Sequence, residues 1–241
     1  MNDLFNFRNV AHLPTRNQQK LRAGIVYRTG NITHISQETA NQLRHELNIG
    51  TYVDFRTTDE IKQFGRPDAL IEAGILWRNL EIDTKDADFE SELRPKVNDW
   101  VKLYHRIFER NIENWVKFLR TFLEVDHAVI YGCLFGKDRT GVATSFLLTT
   151  LDVMDEHIQK DFSLTTENMF SKYSERFSIF WQDSPLTRDE RIQYFSTAHP
   201  EIIAKFGEII RREDESFQKL LVSAGFTEQL QTQLREKLLV D

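Results

Sequence analysis

Residues 133–141, Cys-Leu-Phe-Gly-Lys-Asp-Arg-Thr-Gly, constrain this chain most, because they join a predicted strand to a predicted helix. The preceding residues 127–131 are an apolar run typical of a buried strand, and residues 142–151 are typical of a helix. A short loop between the two directs backbone N–H groups and a helix N-terminus toward one point, where a tetrahedral oxyanion can bind. The sequence therefore predicts an anion-binding loop.

Four residues of this run suit phosphate chemistry. Cys133 is the only cysteine of the chain, and the field that holds an anion also stabilises a thiolate, the reactive form of cysteine. Arg139 carries a planar, permanently charged fork that can grip two phosphate oxygens at once. Gly136 permits the backbone conformation that an anion site needs, and Thr140 places a hydroxyl close to the sulfur. We therefore predict a phosphatase active site with Cys133, Arg139 and Thr140 as catalytic residues.

The rest of the run supports this interpretation over a structural cysteine. A cysteine and an arginine six residues apart are weak evidence alone, and a free cysteine is usually a small buried apolar residue. Lys137 adds a second positive charge, and Gly141 lets the start of the helix pack tightly. The loop residues expected to bind substrate are Leu134, Phe135, Gly136, Lys137 and Gly141.

Strands and helices are predicted to alternate before the loop. Three short apolar segments are typical of strands: residues 25–28, 51–55 and 75–80. A long helical region follows, and the helical spacing of its aromatic and apolar residues predicts core packing instead of a ligand groove. One face has Trp100, Val101, Tyr104, Ile107 and Phe108, and another has Trp115, Phe118, Leu119, Phe122 and Leu123. Ser36 has the position of a helix N-cap, and Thr57 and Glu60 have the spacing of a capping box. This alternation predicts an α/β fold with a mostly parallel central sheet flanked by helices. It places Cys133 at the carboxyl end of a strand, where such sheets bind ligands.

The remaining sequence is predicted to be helical within one domain of residues 1–241. Residues 155–241 show only helical patterns, and residues 170–197 are unusually aromatic. Packing of a helical subdomain against the sheet is the favoured interpretation of the aromatic segment. The alternative is a lid or substrate wall over the pocket.

Composition excludes several classes of protein. The net charge of −6 opposes nonspecific binding to nucleic acid or to an anionic membrane. No apolar run approaches the ~18–20 residues of a membrane helix, and the N-terminus lacks the pattern of a secretory signal. The single cysteine suits a reducing interior, so a cytoplasmic protein is expected. The histidines show no metal-ligand spacing, and we expect no metal or other cofactor; the oligomeric state is open.

The loop sequence resembles that of the cysteine-dependent tyrosine and phosphoinositide phosphatases of bacteria, typified by mycobacterial protein tyrosine phosphatase B. The resemblance extends over nearly the whole chain. Its further motifs are Asn6-Phe7-Arg8, Val26-Tyr27-Arg28-Thr29-Gly30, Tyr52-Val53-Asp54-Phe55-Arg56 with Glu60 following, and the C-terminal helices from His199 to Leu239.

We hypothesise phosphoryl transfer through a cysteinyl-phosphate, with no metal required, and phosphotyrosine is the default substrate. The resemblance implies a phosphorylated protein or a phosphoinositide as the substrate. It implies that Asp138 is the general acid, and Asp83, after the third strand, is the second candidate. Asp54 and Arg56 end the second strand near the expected pocket. They are interpreted either as a substrate-facing pair or as a structural ion pair.

One position departs from the family pattern, since Gly132 stands where the family has a histidine that is implied to brace the loop. This departure leaves the strength of catalysis open, whereas the anion-binding geometry is expected to be intact. This departure motivates a rival hypothesis, a catalytically weak module that binds phosphorylated ligands.

Two further hypotheses account for the loop in a different way. A thiol enzyme such as a sulfurtransferase or an arsenate reductase can also carry a cysteine and an arginine around an anion. The lack of a second cysteine disfavours the reductase, because no intramolecular disulfide can form. A purely structural α/β domain would require the loop sequence to be a coincidence.

Overall fold

The computed structural model describes residues 1, 3–84, 95–170, 185–191, 193–194, 197–212 and 214–241. The strands are β1 (Arg8–Asn9), β2 (Lys20–Leu21), β3 (Val26–Thr29), β4 (Ile49–Asp54), β5 (Leu76–Asn79), β6 (Ala128–Gly132) and β7 (Leu239–Val240). Five of them form one sheet in the order β1-β3-β6-β4-β5. Its last four strands are parallel, and β1 runs antiparallel to β3. The predicted α/β fold with a mostly parallel sheet is confirmed.

Helices cover both faces of this sheet. They are α1 (Gln37–His45), α2 (Thr58–Phe64), α3 (Asp68–Glu72), α4 (Val97–Arg110), α5 (Ile112–Glu124), α6 (Asp138–Thr150), α7 (Asp155–Phe170), α8 (Arg188–Arg191), α9 (Pro200–Arg212), α10 (Asp214–Ser223) and α11 (Glu228–Leu238). The Ser36 hydroxyl accepts a hydrogen bond from the Thr39 N–H at the start of α1. Thr57 and Glu60 make both bonds of the predicted capping box on α2.

The central sheet lies between two apolar clusters, and successive residues of its strands face them in alternation. In β4 and β6, Val53 and Tyr131 face the larger cluster, and Tyr52 and Ile130 face the smaller one. Successive strand residues point to opposite faces, so this pattern follows from the pleat. The aromatic residues of α4 and α5 belong to the larger cluster, as their helical spacing predicted. Its members include Trp100, Tyr104, Phe108, Trp115, Phe118 and Phe122.

The parallel strands end level with one another. Thr29 of β3 and Asp54 of β4 both pair with Gly132 of β6, and Asp54 also pairs with Asn79 of β5. The loops that follow these strands therefore emerge along one edge of the sheet. This edge brings sequence-distant segments around Cys133.

The C-terminal region differs from the prediction in one element. Residues 239–240 form β7, which pairs antiparallel with β2 as Leu21↔Leu239, whereas the sequence indicated only helices there. Two residues are too short to show the alternation that identifies a strand. The aromatic segment 170–197, predicted as helical packing or a lid, lies largely outside the described residues.

Candidate active site

Cys133 directly follows β6 and begins the anion loop, defined here as residues 133–139. Its side chain is buried and makes no disulfide. Helix α6 begins at Asp138, before the predicted start at residue 142, and its N-terminus lies at the end of this loop. Gly141 permits close packing in the first turn of α6, because a Cβ there would lie 2.8 Å from the ring of Phe162 in α7.

The carbonyl groups of the anion loop are bonded to the strands and loops around it. The Leu134 carbonyl accepts the Asn31 N–H at 3.0 Å, and the Asn6 side-chain amide donates to the Phe135 carbonyl at 3.3 Å. The Gly136 carbonyl accepts from Asn6 and Arg28, each at 2.8 Å. Because the C=O and the following N–H of a planar trans peptide point in opposite directions, these bonds direct the next N–H groups to the other side of the loop.

Gly136 has the conformation that the sequence predicted for an anion site. Its φ is 66°, in the left-handed region that residues with a side chain rarely adopt. A Cβ on Gly136 would also lie 2.6 Å from the Thr29 carbonyl oxygen. The backbone angle and the close contact both require glycine here.

Thr140 contacts the thiol directly. Its Oγ1 lies 3.1 Å from Cys133 Sγ as a hydrogen-bond donor, and both side chains are buried. A hydroxyl that donates to sulfur can stabilise negative charge that develops there during a reaction. This contact was expected from the loop sequence.

Arg139 is anchored by Glu60, a residue that the sequence indicated as part of the α2 capping box and of one motif of the resemblance. Arg139 Nη1 and Nη2 each donate to one Glu60 carboxylate oxygen at 2.6 Å. Burial raises the pKa of Glu60, but the hydrogen bonds and charge of Arg139 outweigh it and lower that pKa below its usual value. Burial likewise disfavours the charge of Arg139, yet the Glu60 bonds raise its pKa further above the usual value. Both groups therefore stay charged.

Asp138 and Lys137 lie beside two aromatic residues of α4. The Tyr104 hydroxyl donates to Asp138 Oδ1 at 2.8 Å, and Lys137 Nζ lies 3.6 Å from the same oxygen. Lys137 Nζ also lies 3.8 Å from the centre of the Trp100 ring. Burial, and next the Asp138 charge, raise the pKa of Tyr104 well above its usual value, so this hydroxyl remains a donor. Burial lowers the pKa of Lys137, and Asp138 offsets only part of this effect.

Asp54 and Arg56 form the ion pair that was one of the two interpretations. Arg56 Nη2 lies 2.7 Å from Asp54 Oδ2, and both side chains are fully buried. Arg56 also donates to Thr33 Oγ1 at 2.8 Å and to the Gly65 carbonyl at 3.2 Å. These bonds tie β4 to the loops before α1 and after α2.

Asp83 follows β5 and is anchored through its backbone. Its N–H donates to Asn111 Oδ1 at 3.0 Å, and its carbonyl accepts from Asn111 Nδ2 at 3.1 Å. These two bonds hold the backbone of Asp83 against Asn111, between α4 and α5. Asp138, by contrast, belongs to the anion loop.

Gly132 is also required by a close contact. A Cβ at this position would lie 2.6 Å from the Thr29 carbonyl oxygen and 2.9 Å from its methyl group. The departure from the family histidine therefore has a local physical cause, namely the close approach of β3 to β6.

Sequence reasoning did not name four neighbours of the anion loop as site residues: Asn6, Arg28, Glu60 and Tyr104. The first three belong to motifs of the resemblance, and Glu60 was also singled out for its cap. Tyr104 was assigned to the core because of its helical spacing. Their contacts with the loop span 34 to 130 residues of sequence, too far for local patterns to indicate.

The described part of the chain offers no metal centre and no membrane span. Within those ranges, no group of three or more histidine, cysteine, aspartate or glutamate side chains could hold a metal ion. None of the described helices has the length and hydrophobicity to cross a bilayer.

Comparison with known proteins gives one family match over nearly the full length. The model of the tyrosine phosphatase family matches residues 1–240. A Cupriavidus necator protein that carries the name of a tyrosine-protein phosphatase is 26% identical over 158 residues. The match covers 64% of this chain and 57% of that protein, so this chain spans little more than half of the relative's length.

Solved structures of phosphatases resemble this chain more distantly. The Siw14 catalytic core has a TM-score of 0.40 and 11% identity, covering 90% of this chain and 96% of that chain. TpbA of P. aeruginosa in complex with pTyr has a TM-score of 0.32 and 13% identity, covering 60% of this chain and 71% of that chain.

Proposed function

Because this chain belongs to the tyrosine phosphatase family, we propose that it hydrolyses phosphotyrosine in proteins through a cysteinyl-phosphate intermediate. One observation carries the proposal. Cys133, the only cysteine of the chain, accepts a hydrogen bond from the Thr140 hydroxyl at 3.1 Å. It lies in the same loop as Arg139, which is bonded to Glu60. A structural cysteine needs neither the hydroxyl donor nor the anchored guanidinium.

In the first step, the Cys133 thiolate attacks phosphorus in line with the leaving oxygen. The S–P bond forms as the P–O bond to the tyrosine breaks, and Asp138 gives its proton to that oxygen. Charge on the equatorial oxygens is stabilised by the loop N–H groups and by Arg139. Glu60 occupies one N–H of each terminal nitrogen of Arg139, which leaves the edge of Nε and Nη2 to face the phosphate.

In the second step, water attacks the phosphorus of the cysteinyl-phosphate. The S–P bond breaks, inorganic phosphate is released, and the water proton passes to the Asp138 carboxylate. Thr140 stabilises the departing thiolate through its hydroxyl. Tyr104 holds Asp138 in place through both steps, since its own proton stays on the phenol oxygen. Asp83 remains the second candidate for the general acid.

Phosphotyrosine is preferred over a multiply phosphorylated phosphoinositide because of the surroundings of Lys137. From the sequence alone, Lys137 is the residue whose extra positive charge would suit a second phosphate group on the substrate. Its ammonium group is fully buried, against the Trp100 ring and beside the Asp138 carboxylate. A charge held there supports the loop instead of reaching a second phosphate on the substrate.

A reducing compartment, such as the cytoplasm, suits this chemistry. A thiolate nucleophile is inactivated by oxidation to sulfenic and higher acids. The chain has no second cysteine that could trap the sulfenic acid as an intramolecular disulfide.

The deciding experiment is hydrolysis of p-nitrophenyl phosphate and of a phosphotyrosine peptide by the unmodified protein and by Cys133→Ser, both with EDTA. The proposal predicts turnover that persists in EDTA and disappears in the serine variant. A folded protein that binds phosphate without turnover would instead be a phospho-ligand-binding module. Faster turnover of phosphoinositides than of the peptide would overturn the substrate assignment alone.

A further inference from the structure

A closed ring of hydrogen bonds lies behind the anion loop, against β1, β3 and α7. Arg28 Nη2 and Asn6 Nδ2 both donate to the Gly136 carbonyl at 2.8 Å. Arg28 Nη1 donates to Asp161 Oδ2 at 2.6 Å, and Arg8 Nε donates to Asp161 Oδ1 at 2.9 Å. Arg8 Nη1 completes the ring by donating to Asn6 Oδ1 at 2.6 Å. The ring thus starts and ends at one carbonyl of the loop.

Asp161 is the shared anchor of this ring. Its side chain is 7% exposed and Arg28 is fully buried, so each buried charge depends on its partner. Burial raises the pKa of Asp161, but the charges of Arg28 and Arg8 outweigh it and lower that pKa below its usual value. The carboxylate therefore stays ionised. Its Oδ1 accepts from Arg8 Nε, and its Oδ2 accepts from Arg28 and, at 3.3 Å, from Arg8 Nη2.

The orientation of Arg28 has a cost. Its Nε is buried and has no hydrogen-bond partner among the described residues, and an unpaired buried donor is unfavourable. The two terminal nitrogens are nevertheless directed at Asp161 and at the Gly136 carbonyl. This arrangement indicates that the hydrogen bonds of the two terminal nitrogens determine the orientation of the Arg28 side chain.

We propose that Asp161 is a positioning residue for the anion loop, acting on the Gly136–Lys137 peptide through Arg28 and through Arg8 and Asn6. Fixing the Gly136 carbonyl also fixes the N–H of Lys137, because the peptide is planar. Asp161 lies in α7, far from the loop in sequence, and no motif identified it. The inference rests on the proposed function in so far as the loop must bind phosphate. It also gives a role to Arg8 and Arg28, which the sequence analysis named only as members of the family motifs.

Positioning and simple electrostatics predict opposite effects for Asp161→Asn. The substitution removes a negative charge near the anion site, so charge alone would strengthen phosphate binding. The asparagine side chain, however, offers only one acceptor oxygen to two arginines, so the hydrogen bonds to one of the arginines must weaken. If Asp161 acts by positioning, phosphate binding weakens in spite of the gain in net positive charge.

The test measures how inorganic phosphate protects Cys133 from alkylation by iodoacetamide at pH 7. The chain has one cysteine, so the alkylation rate reports on this site alone and needs no turnover. The dissociation constant of phosphate follows from the concentration that halves the rate. We expect Asp161→Asn to raise this constant by about tenfold, as for the loss of a hydrogen bond between charged groups.

Thr165→Val is the matched control. Thr165 is fully buried and accepts from Arg8 Nη2 at 3.1 Å, but it is not part of the ring. We expect this variant to lose thermal stability and to keep phosphate affinity within about twofold. Equal weakening in both variants would overturn the inference, because general destabilisation would then explain it.

Arg8→Lys provides a second test that does not depend on the folding of Asp161→Asn. It preserves the charge but cannot reach Asp161 and Asn6 with a planar fork, so phosphate binding should again weaken several-fold. Unchanged or tighter binding in folded Asp161→Asn, or in Arg8→Lys, overturns the inference and leaves the proposed function intact. An unmodified protein that neither binds phosphate nor hydrolyses phosphate esters overturns both.

Discussion

Glu60 holds both terminal nitrogens of Arg139 at 2.6 Å, across 79 residues of sequence. The same carboxylate accepts the Thr57 N–H at 2.8 Å in the capping box of α2. One side chain thus fixes the start of a helix and the direction of Arg139, the arginine that we propose binds phosphate. Since a guanidinium on a long flexible chain loses entropy when it is ordered, its prior attachment to Glu60 would lower the entropic cost of that binding.

Replacing Glu60 by glutamine should therefore weaken catalysis more than folding. Glu60→Gln retains one acceptor for Arg139 and loses the charge, so we expect kcat/KM for p-nitrophenyl phosphate to fall about 10- to 100-fold. Asp59→Asn, at the neighbouring exposed acid that pairs with Lys62, should change kcat/KM by less than about twofold. Steady-state kinetics of the two variants check this, and equal rates would contradict it.

The Glu60–Arg139 pair should also contribute a stability that acid removes. The pKa of Glu60 in the folded protein is lowered from its ordinary value of 4.5. Its stabilising contribution is therefore complete above that value and is lost as the pH falls through the lower pKa of the folded state. Urea unfolding at pH 7 and near pH 3 should show the free-energy difference between the unmodified protein and Glu60→Gln shrinking at the lower pH. A free-energy difference that stays the same at both pH values would contradict the stabilising role of an ionised Glu60–Arg139 pair.

Thr140→Val should slow the second chemical step specifically. Without the hydroxyl at 3.1 Å from Sγ, the thiolate is a poorer leaving group and the cysteinyl-phosphate accumulates. We expect kcat to fall about 100-fold, as when one oxyanion donor is removed, and a burst of nitrophenol equal to the enzyme concentration. Stopped-flow absorbance measures this burst.

Thr144→Val is the control for Thr140, one helical turn away. Thr144 is buried and bonded to the Thr140 carbonyl at 2.7 Å and to the Tyr131 hydroxyl at 2.9 Å, without touching the thiol. It should lose stability and show no burst. A slow first turnover in Thr140→Val would place its effect on attack rather than on hydrolysis.

The sequence predicted those parts of the site that lie within a few residues of one another. The strand, anion loop and helix around Cys133, and the capping box of Thr57 and Glu60, are local patterns, and the structure contains both. The bond between Arg139 and Glu60 depends on the pairing of β4 with β6. The hydrophobic periodicity of a short sequence window does not indicate which strands pair. Tyr104 was predicted as core and is buried, but only the packing of α4 against α6 brings its hydroxyl to Asp138.

Asp138→Asn tests the assignment of the general acid. A general acid matters most when the leaving group is poor, so kcat for phenyl phosphate should fall about 100- to 1000-fold and kcat for p-nitrophenyl phosphate much less. The basic limb of the pH–rate profile should disappear in Asp138→Asn and persist in Asp83→Asn. The reverse result would assign the role to Asp83.

Tyr104→Phe should reproduce a weaker form of the Asp138 effect. The substitution removes the hydroxyl that donates to Asp138 Oδ1 at 2.8 Å and leaves the ring in the core. We expect kcat for phenyl phosphate to fall about tenfold, in keeping with the loss of one hydrogen bond to a charged group. A larger effect on p-nitrophenyl phosphate than on phenyl phosphate would exclude a role through the general acid.

Gly132→His, which introduces the family histidine, should destabilise this protein instead of activating it. A Cβ at position 132 would lie 2.6 Å from the Thr29 carbonyl oxygen within paired strands, so β3 and β6 must separate. Overpacking of this kind costs about 1–3 kcal/mol in the free energy of unfolding. Gly207→Ala is the control, because a Cβ there meets nothing within 4 Å and should stabilise α9 by about 0.5–1 kcal/mol. Urea unfolding and p-nitrophenyl phosphate hydrolysis measure both variants. A faster Gly132→His enzyme of unchanged stability would show that the strands can accommodate the histidine and that its absence limits catalysis.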